Sequence, residues 1–124
     1  MRIEVMLQRF VSLGYVLHGS PTKSEILLPQ EPQGGGSKKC PIGVYATTAP
    51  KLAMFYAAVR QRTPGKGYVY VCPSESFQVR SKIESCSPIP VKPIRQIPVD
   101  LSDFAGDKPL FEAINEILSL RHSE

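Results

Sequence analysis

The stretch YVLHGSPTKSE, residues 15–25, sets the reading of the rest of the chain. Tyr15, Val16 and Leu17 form a short β-prone apolar run. That run ends in an imidazole, His18, and is cut at once by Gly19, Ser20 and Pro21, all turn formers. A core strand seldom carries a histidine to its tip unless the ring holds something. The choice is between a ligand and another part of the fold.

Upstream, residues 3–13 predict a short amphipathic helix, with Ile3, Met6, Leu7, Phe10 and Val11 on one stripe and Gly14 as its stop. Downstream, residues 20–41 predict a loop, interrupted by Ile26-Leu27-Leu28 and tipped by the glycine-rich, basic GGGSKK. IGVYATT, 42–48, is a β-rich run. APKLAMFYAAVRQR, 49–62, predicts the clearest helix. Pro50 suits its first turn, Thr48 is placed to cap it, and Leu52, Phe55, Tyr56 and Val59 recur at helical spacing. YVYVC, 68–72, predicts a buried strand, and FQVRSKI, 77–83, a half-exposed one by its alternation. Pro88, Pro90, Pro93 and Pro98 mean that any strand there lies at a sheet edge or is broken. The segment 108–122 predicts a second amphipathic helix with Phe111, Ile114, Ile117 and Leu118 inward. The order is that of one strand-rich α+β domain over residues 1–124, a length suited to a single core.

Composition narrows the class. Hydrophobic residues are 42% and charged residues 21%, which predicts a globular chain. No run approaches the ~20 apolar residues of a membrane span, and Glu4 and Gln8 interrupt the N-terminal segment where an export signal would be apolar. The expectation is a cytoplasmic protein. The three cysteines, Cys40, Cys72 and Cys86, have no C-x-x-C spacing and read as reduced thiols. With His18 and His122 they lack the short ligand spacings of a zinc site, so no metal is expected. The net charge of +4 is unevenly spread: residues 34–98 hold ten basic and two acidic side chains, and residues 99–124 two basic and six acidic. A positive middle suits an anionic partner, a dinucleotide pyrophosphate or a nucleic-acid backbone, or simply a solvated surface.

Two pieces belong together: LHGS at the end of one strand, and VYATTAPKLAMFYA, in which a strand-end tyrosine leads into a helix. Followed by GYVYV, they resemble the ADP-ribosyltransferase fold, and within it the small bacterial rifampin ADP-ribosyltransferases. The resemblance runs from about Tyr15 to about Val99. It implies an α+β fold with a small split sheet and flanking helices, and an activity that transfers ADP-ribose from NAD, the co-substrate, with release of nicotinamide. It gives His18 a hydrogen bond to the ribose beside nicotinamide and Gly19 a close backbone approach to that ring. Ser20 receives a hydroxyl contact to ligand or backbone, and Tyr45 the stacking face for the pyridine. The structural alternatives are a backbone-satisfied histidine, a turn glycine and serine, and a packing tyrosine. Tyr56, Tyr68 and Tyr70 read as packing residues, and Thr47 as a local bond at the helix start.

The fold's third position is acidic, on a later strand. Laid against the rifampin branch, its place falls near Ser81; the acids nearby are Glu75, in a turn, and Glu84, which takes the acidic role. Lys38 and Lys39 in the glycine-rich loop are assigned to the pyrophosphate. That loop lacks the order of a P-loop, so triphosphate hydrolysis is not implied. The acceptor stays open among a small-molecule hydroxyl, a protein side chain and a nucleic-acid end. Two alternatives share the fold. An RNA 2′-phosphotransferase would use the basic middle, although no arginine set stands beside His18. A non-catalytic module would bind NAD, nucleic acid or protein.

Overall fold

The computed structural model describes residues 2–30, 42–60 and 64–122. Among the described residues six strands form one sheet: β1 Val16–Ser20, β2 Val44–Thr47, β3 Lys66–Cys72, β4 Gln78–Val79, β5 Glu84–Ser87 and β6 Arg95–Asp100. Their spatial order is β4-β5-β2-β1-β3-β6, and every neighbouring pair is antiparallel. The α-helices among the described residues are α1 Ile3–Ser12, α2 Pro50–Met54, α3 Leu101–Ala105 and α4 Leu110–His122. The architecture is therefore α+β, with helices flanking an antiparallel sheet.

Strand alternation divides the core in two. Leu17, Val69, Val71, Ile97 and Val99 face the helices and meet Leu7, Leu52, Met54, Phe104 and Ile117. Val16, Val44, Ala46, Tyr70 and Cys72 face the other way, under Leu27 and Val91, whose own backbones form an antiparallel bridge. Central strand β3 is covered on both faces, so Val69 through Cys72 are all fully buried. This is why YVYVC reads as an unbroken apolar run.

The helix expected over 49–62 changes its winding. After α2, residues Phe55–Val59 form a π-helical turn, closed by the Arg60 amide donating to the Phe55 carbonyl at 2.9 Å. This helix lies with its backbone on the sheet. A Cβ at Gly19 would fall 2.0 Å from the Ala53 carbonyl oxygen, and one at Gly67 1.8 Å from that of Ala57. Only glycine admits such an approach. The hydroxyl at the helix start is that of Thr47, which accepts from the Ala49 amide at 3.0 Å, rather than that of Thr48. Thr48 instead donates its amide to the Ile83 carbonyl.

Two further expectations are corrected. The strand expected over 77–83 is only Gln78–Val79; a turn follows, and the chain then returns as β5, made of Glu-Ser-Cys-Ser. In α4 the inward residues are Ala113 and Ile117, with Ile114 packed beside them, whereas Phe111 is 70% and Leu118 39% exposed. The short helix α3 arises from a reciprocal capping box between Asp100 and Asp103. The proline expectation agrees with the structure: β6, which contains Pro98, is an edge strand. No helix among the described residues is long and apolar enough to cross a membrane.

Candidate functional site

The two sides of β1 differ. Toward β3 it is paired along its whole length, from Val16 opposite Cys72 to Ser20 opposite Tyr68. Toward β2 a single pair forms, Leu17 opposite Thr47. Continuing that register would set Gly19 against Tyr45, but the pairing stops. There the His18 ring reaches across, with Nδ1 2.5 Å from the Tyr45 carbonyl oxygen.

That contact fixes the chemistry of the ring. A carbonyl oxygen only accepts, so Nδ1 carries the proton and donates. Burial pushes the His18 pKa below its ordinary value of 6.5, and the bond to Tyr45 opposes this only in part. At neutral pH the ring is therefore uncharged, with Nε2 left as an acceptor. A neutral imidazole held this way is suited to accept a hydrogen bond from a hydroxyl.

Tyr45 and Glu84 follow from β2 and β5. In their register Tyr45 lies opposite Cys86 and Thr47 opposite Glu84, so Tyr45 and Glu84 are diagonal neighbours on the α2 side of the sheet. Glu84 is positioned by the turn before it. Its carbonyl accepts from the amides of Arg80 (2.9 Å) and Ser81 (3.1 Å), and its own amide donates to Ser81 Oγ at 3.1 Å. The Ser81 hydroxyl thus shapes the turn that carries Glu84, while Glu75 is exposed in a separate turn.

His18, Tyr45 and Glu84 therefore stand on three consecutive strands, β1, β2 and β5, with Tyr45 and Glu84 on the α2 side of the sheet and His18, opposite Tyr70, on the other face. His18 and Tyr45 meet through a ring nitrogen and a main-chain oxygen. The other assigned positions fare differently. The missing side chain of Gly19 makes room for α2, since its Cβ direction points at Ala53. Ser20 Oγ accepts from the Thr22 amide at 3.1 Å and so shapes the turn after the strand. Lys38 and Lys39 lie outside the described residues.

Two groups escaped the sequence. Tyr70, opposite His18 on β3, is fully buried, yet its hydroxyl donates to the Thr22 carbonyl at 2.8 Å and accepts from the Ser24 amide at 2.7 Å. Ser85, opposite Ala46, has a buried hydroxyl with no hydrogen-bond partner. A tyrosine in an apolar run carries no signal of the first role, and a serine between Glu84 and Cys86 none of the second. Cys72 is no nucleophile, because burial pushes its thiol up to about 12.

Two concavities bordered by described residues lie elsewhere. One, of about 270 Å³, is lined by charges that pair with each other, Arg2 with Asp107 at 3.2 Å and Lys51 with Glu4 at 3.8 Å. The other, of about 440 Å³, follows the outer edge near Ser24, Lys92, Arg95 and Gln96. Neither includes His18, Tyr45 or Glu84, and neither gathers groups suited to bond cleavage. The chemically specific arrangement is the interrupted seam. Compared with known proteins, the chain matches no family model, and neither curated proteins nor solved structures give a match.

Proposed function

We propose that the protein transfers ADP-ribose from NAD, with the reaction centre at the opening between β1 and β2. The observation that carries this reading is the placing of His18, Tyr45 and Glu84 on three neighbouring strands, with the ladder interrupted where the imidazole stands. The resemblance assigns the first two to ribose binding and nicotinamide stacking, and Glu84 is an acid close to the place, near Ser81, that it reserves for the acidic role.

In this reading the neutral His18 ring accepts at Nε2 from a ribose hydroxyl next to nicotinamide. Tyr45 offers its aromatic face to the pyridinium, whose positive charge favours a π surface. The glycosidic C–N bond breaks with its electron pair going to nicotinamide, which leaves neutral, and positive charge grows on the ribose. The Glu84 carboxylate stabilises that charge or takes the proton of the attacking acceptor. The acceptor's lone pair then closes on the anomeric carbon.

The test is direct. NAD labelled on its adenylate is incubated with the protein and with candidate acceptors, and nicotinamide release and label transfer are measured. The expected result is release that falls roughly 10²-fold or more in His18→Ala and in Glu84→Gln, the range for losing one transition-state contact. Absence of both NAD binding and nicotinamide release, with His18→Ala indistinguishable from wild type, overturns it.

A further inference from the structure

The turn that leaves His18 is held more firmly than its exposure requires. Thr22 and Lys23 are exposed, as connecting loops usually are. Yet four hydrogen bonds tie down the seven residues from His18 to Ser24. His18 Nδ1 donates to Tyr45, the Thr22 amide donates to Ser20 Oγ, and Tyr70 donates to the Thr22 carbonyl and accepts from the Ser24 amide.

Tyr70 connects the two ends of this set. Its ring belongs to the buried cluster beneath Leu27 and Val91, and its centroid lies 6.2 Å from that of His18, its cross-strand partner. Its hydroxyl uses both donor and acceptor capacity on main-chain groups 48 and 46 residues away in sequence. A buried phenol needs one partner to be satisfied. Here it grips both ends of a three-residue segment, Thr22 to Ser24, directly downstream of the histidine. Burial also pushes the Tyr70 pKa up, so the hydroxyl keeps the proton it donates.

We propose that Tyr70 is a positioning residue of the nucleotide site: its hydroxyl clamps the Thr22–Ser24 turn and so holds His18 and the end of β1 in the geometry that receives the ribose. The inference rests on the NAD reading of the site. Pre-organisation of this kind lowers the ordering cost of binding, so loss of the clamp weakens affinity beyond its effect on folding.

The experiment compares wild type, Tyr70→Phe and Phe104→Leu. The last is a control in the other core cluster, on the helix side of the sheet. NAD affinity is measured by calorimetry, melting temperature by circular dichroism, and Ser24 amide protection by hydrogen exchange. Tyr70→Phe is expected to bind NAD about tenfold more weakly, the effect of one hydrogen-bonded hydroxyl, with the Ser24 amide exchanging faster. Phe104→Leu is expected to melt earlier with unchanged affinity. In wild type, saturating NAD is expected to slow Ser24 exchange further, a readout that does not depend on the variant's folding.

If Tyr70→Phe binds NAD as wild type does, the positioning role is overturned while the NAD reading stands. Unchanged Ser24 exchange, in the variant or on NAD saturation of the wild type, overturns it likewise. If wild type itself binds no NAD, the reading of the site falls and the positioning role with it.

Discussion

The two seams of β1 are built from the same five residues and behave in opposite ways. Against β3 the strand is paired at every position from Val16 to Ser20, and both faces of that pairing are covered. Against β2 the pairing ends after Leu17 and Thr47, and an imidazole stands where the ladder would continue. The closed seam bears the fold. At the open one the ladder gives way to a side-chain bond, His18 Nδ1 to the Tyr45 carbonyl, which leaves Nε2 of the neutral ring as an acceptor.

The largest expected effect comes from breaking the closed side. Gly67→Val puts side-chain atoms where the Ala57 carbonyl lies, and Gly19→Val does the same against Ala53. Each should destabilise by roughly 3 kcal/mol or more, the upper range of overpacking, read as a lower urea midpoint or as loss of cooperative unfolding. The open seam is expected to respond in function rather than stability. His18→Ala should cost only about 1 kcal/mol of folding free energy, the net worth of one hydrogen bond, while abolishing most nicotinamide release.

A pH titration separates the seams further. The His18 pKa lies below 6.5 in the folded protein because of burial. As pH falls below 6.5 the unfolded chain takes up this proton before the folded one does. His18 therefore makes stability fall with pH between 6.5 and its folded pKa, and contributes no slope above 6.5. In His18→Gln that component of the slope should vanish from urea midpoints measured across the window. Nicotinamide release should persist below 6.5 and decline only when the folded ring itself protonates.

Smaller effects probe the partners of β2. Thr47→Ala removes the hydroxyl that accepts from the Ala49 amide at the start of α2 and should cost about 1 kcal/mol by denaturant titration. Ser85→Ala, in contrast, should be neutral or slightly stabilising, because it deletes a buried hydroxyl that has no partner. A loss near that of Thr47→Ala would mean that the Ser85 hydroxyl is bonded in solution.

What the sequence disclosed follows from where side-chain chemistry matches burial. Strands β1 and β3 and helix α1 were legible, because Val16, Leu17, Val69, Val71 and Leu7 are apolar residues facing apolar cores. Strand β5 was not, since Ser85, Cys86 and Ser87 are all buried and two of them are polar, which leaves no apolar alternation to read. The Ser87 hydroxyl bonds Ser76 Oγ and the Ile89 carbonyl, contacts visible only once the chain is folded. The π-helical turn was hidden because α and π windings share the same apolar residues, and the close backbone approach at Gly19 and Gly67 is a tertiary fact. In contrast, the capping box that starts α3 is written locally, as Asp100 and Asp103. At the site, a histidine at a strand tip was conspicuous. The hydroxyl of Tyr70 was not, since a tyrosine among valines reads as packing.

The account turns on His18 being a neutral, Nδ1-protonated ring at an opening that takes NAD. The chain has two histidines, so imidazole ¹⁵N labelling gives two ring systems, assigned with a His122→Gln variant. Long-range ¹H–¹⁵N spectra at neutral pH should show His18 as the Nδ1–H tautomer, and NAD should shift its Nε2 resonance as that nitrogen gains a donor. A His18 ring protonated on Nε2, or a spectrum that NAD leaves unmoved, would contradict the account.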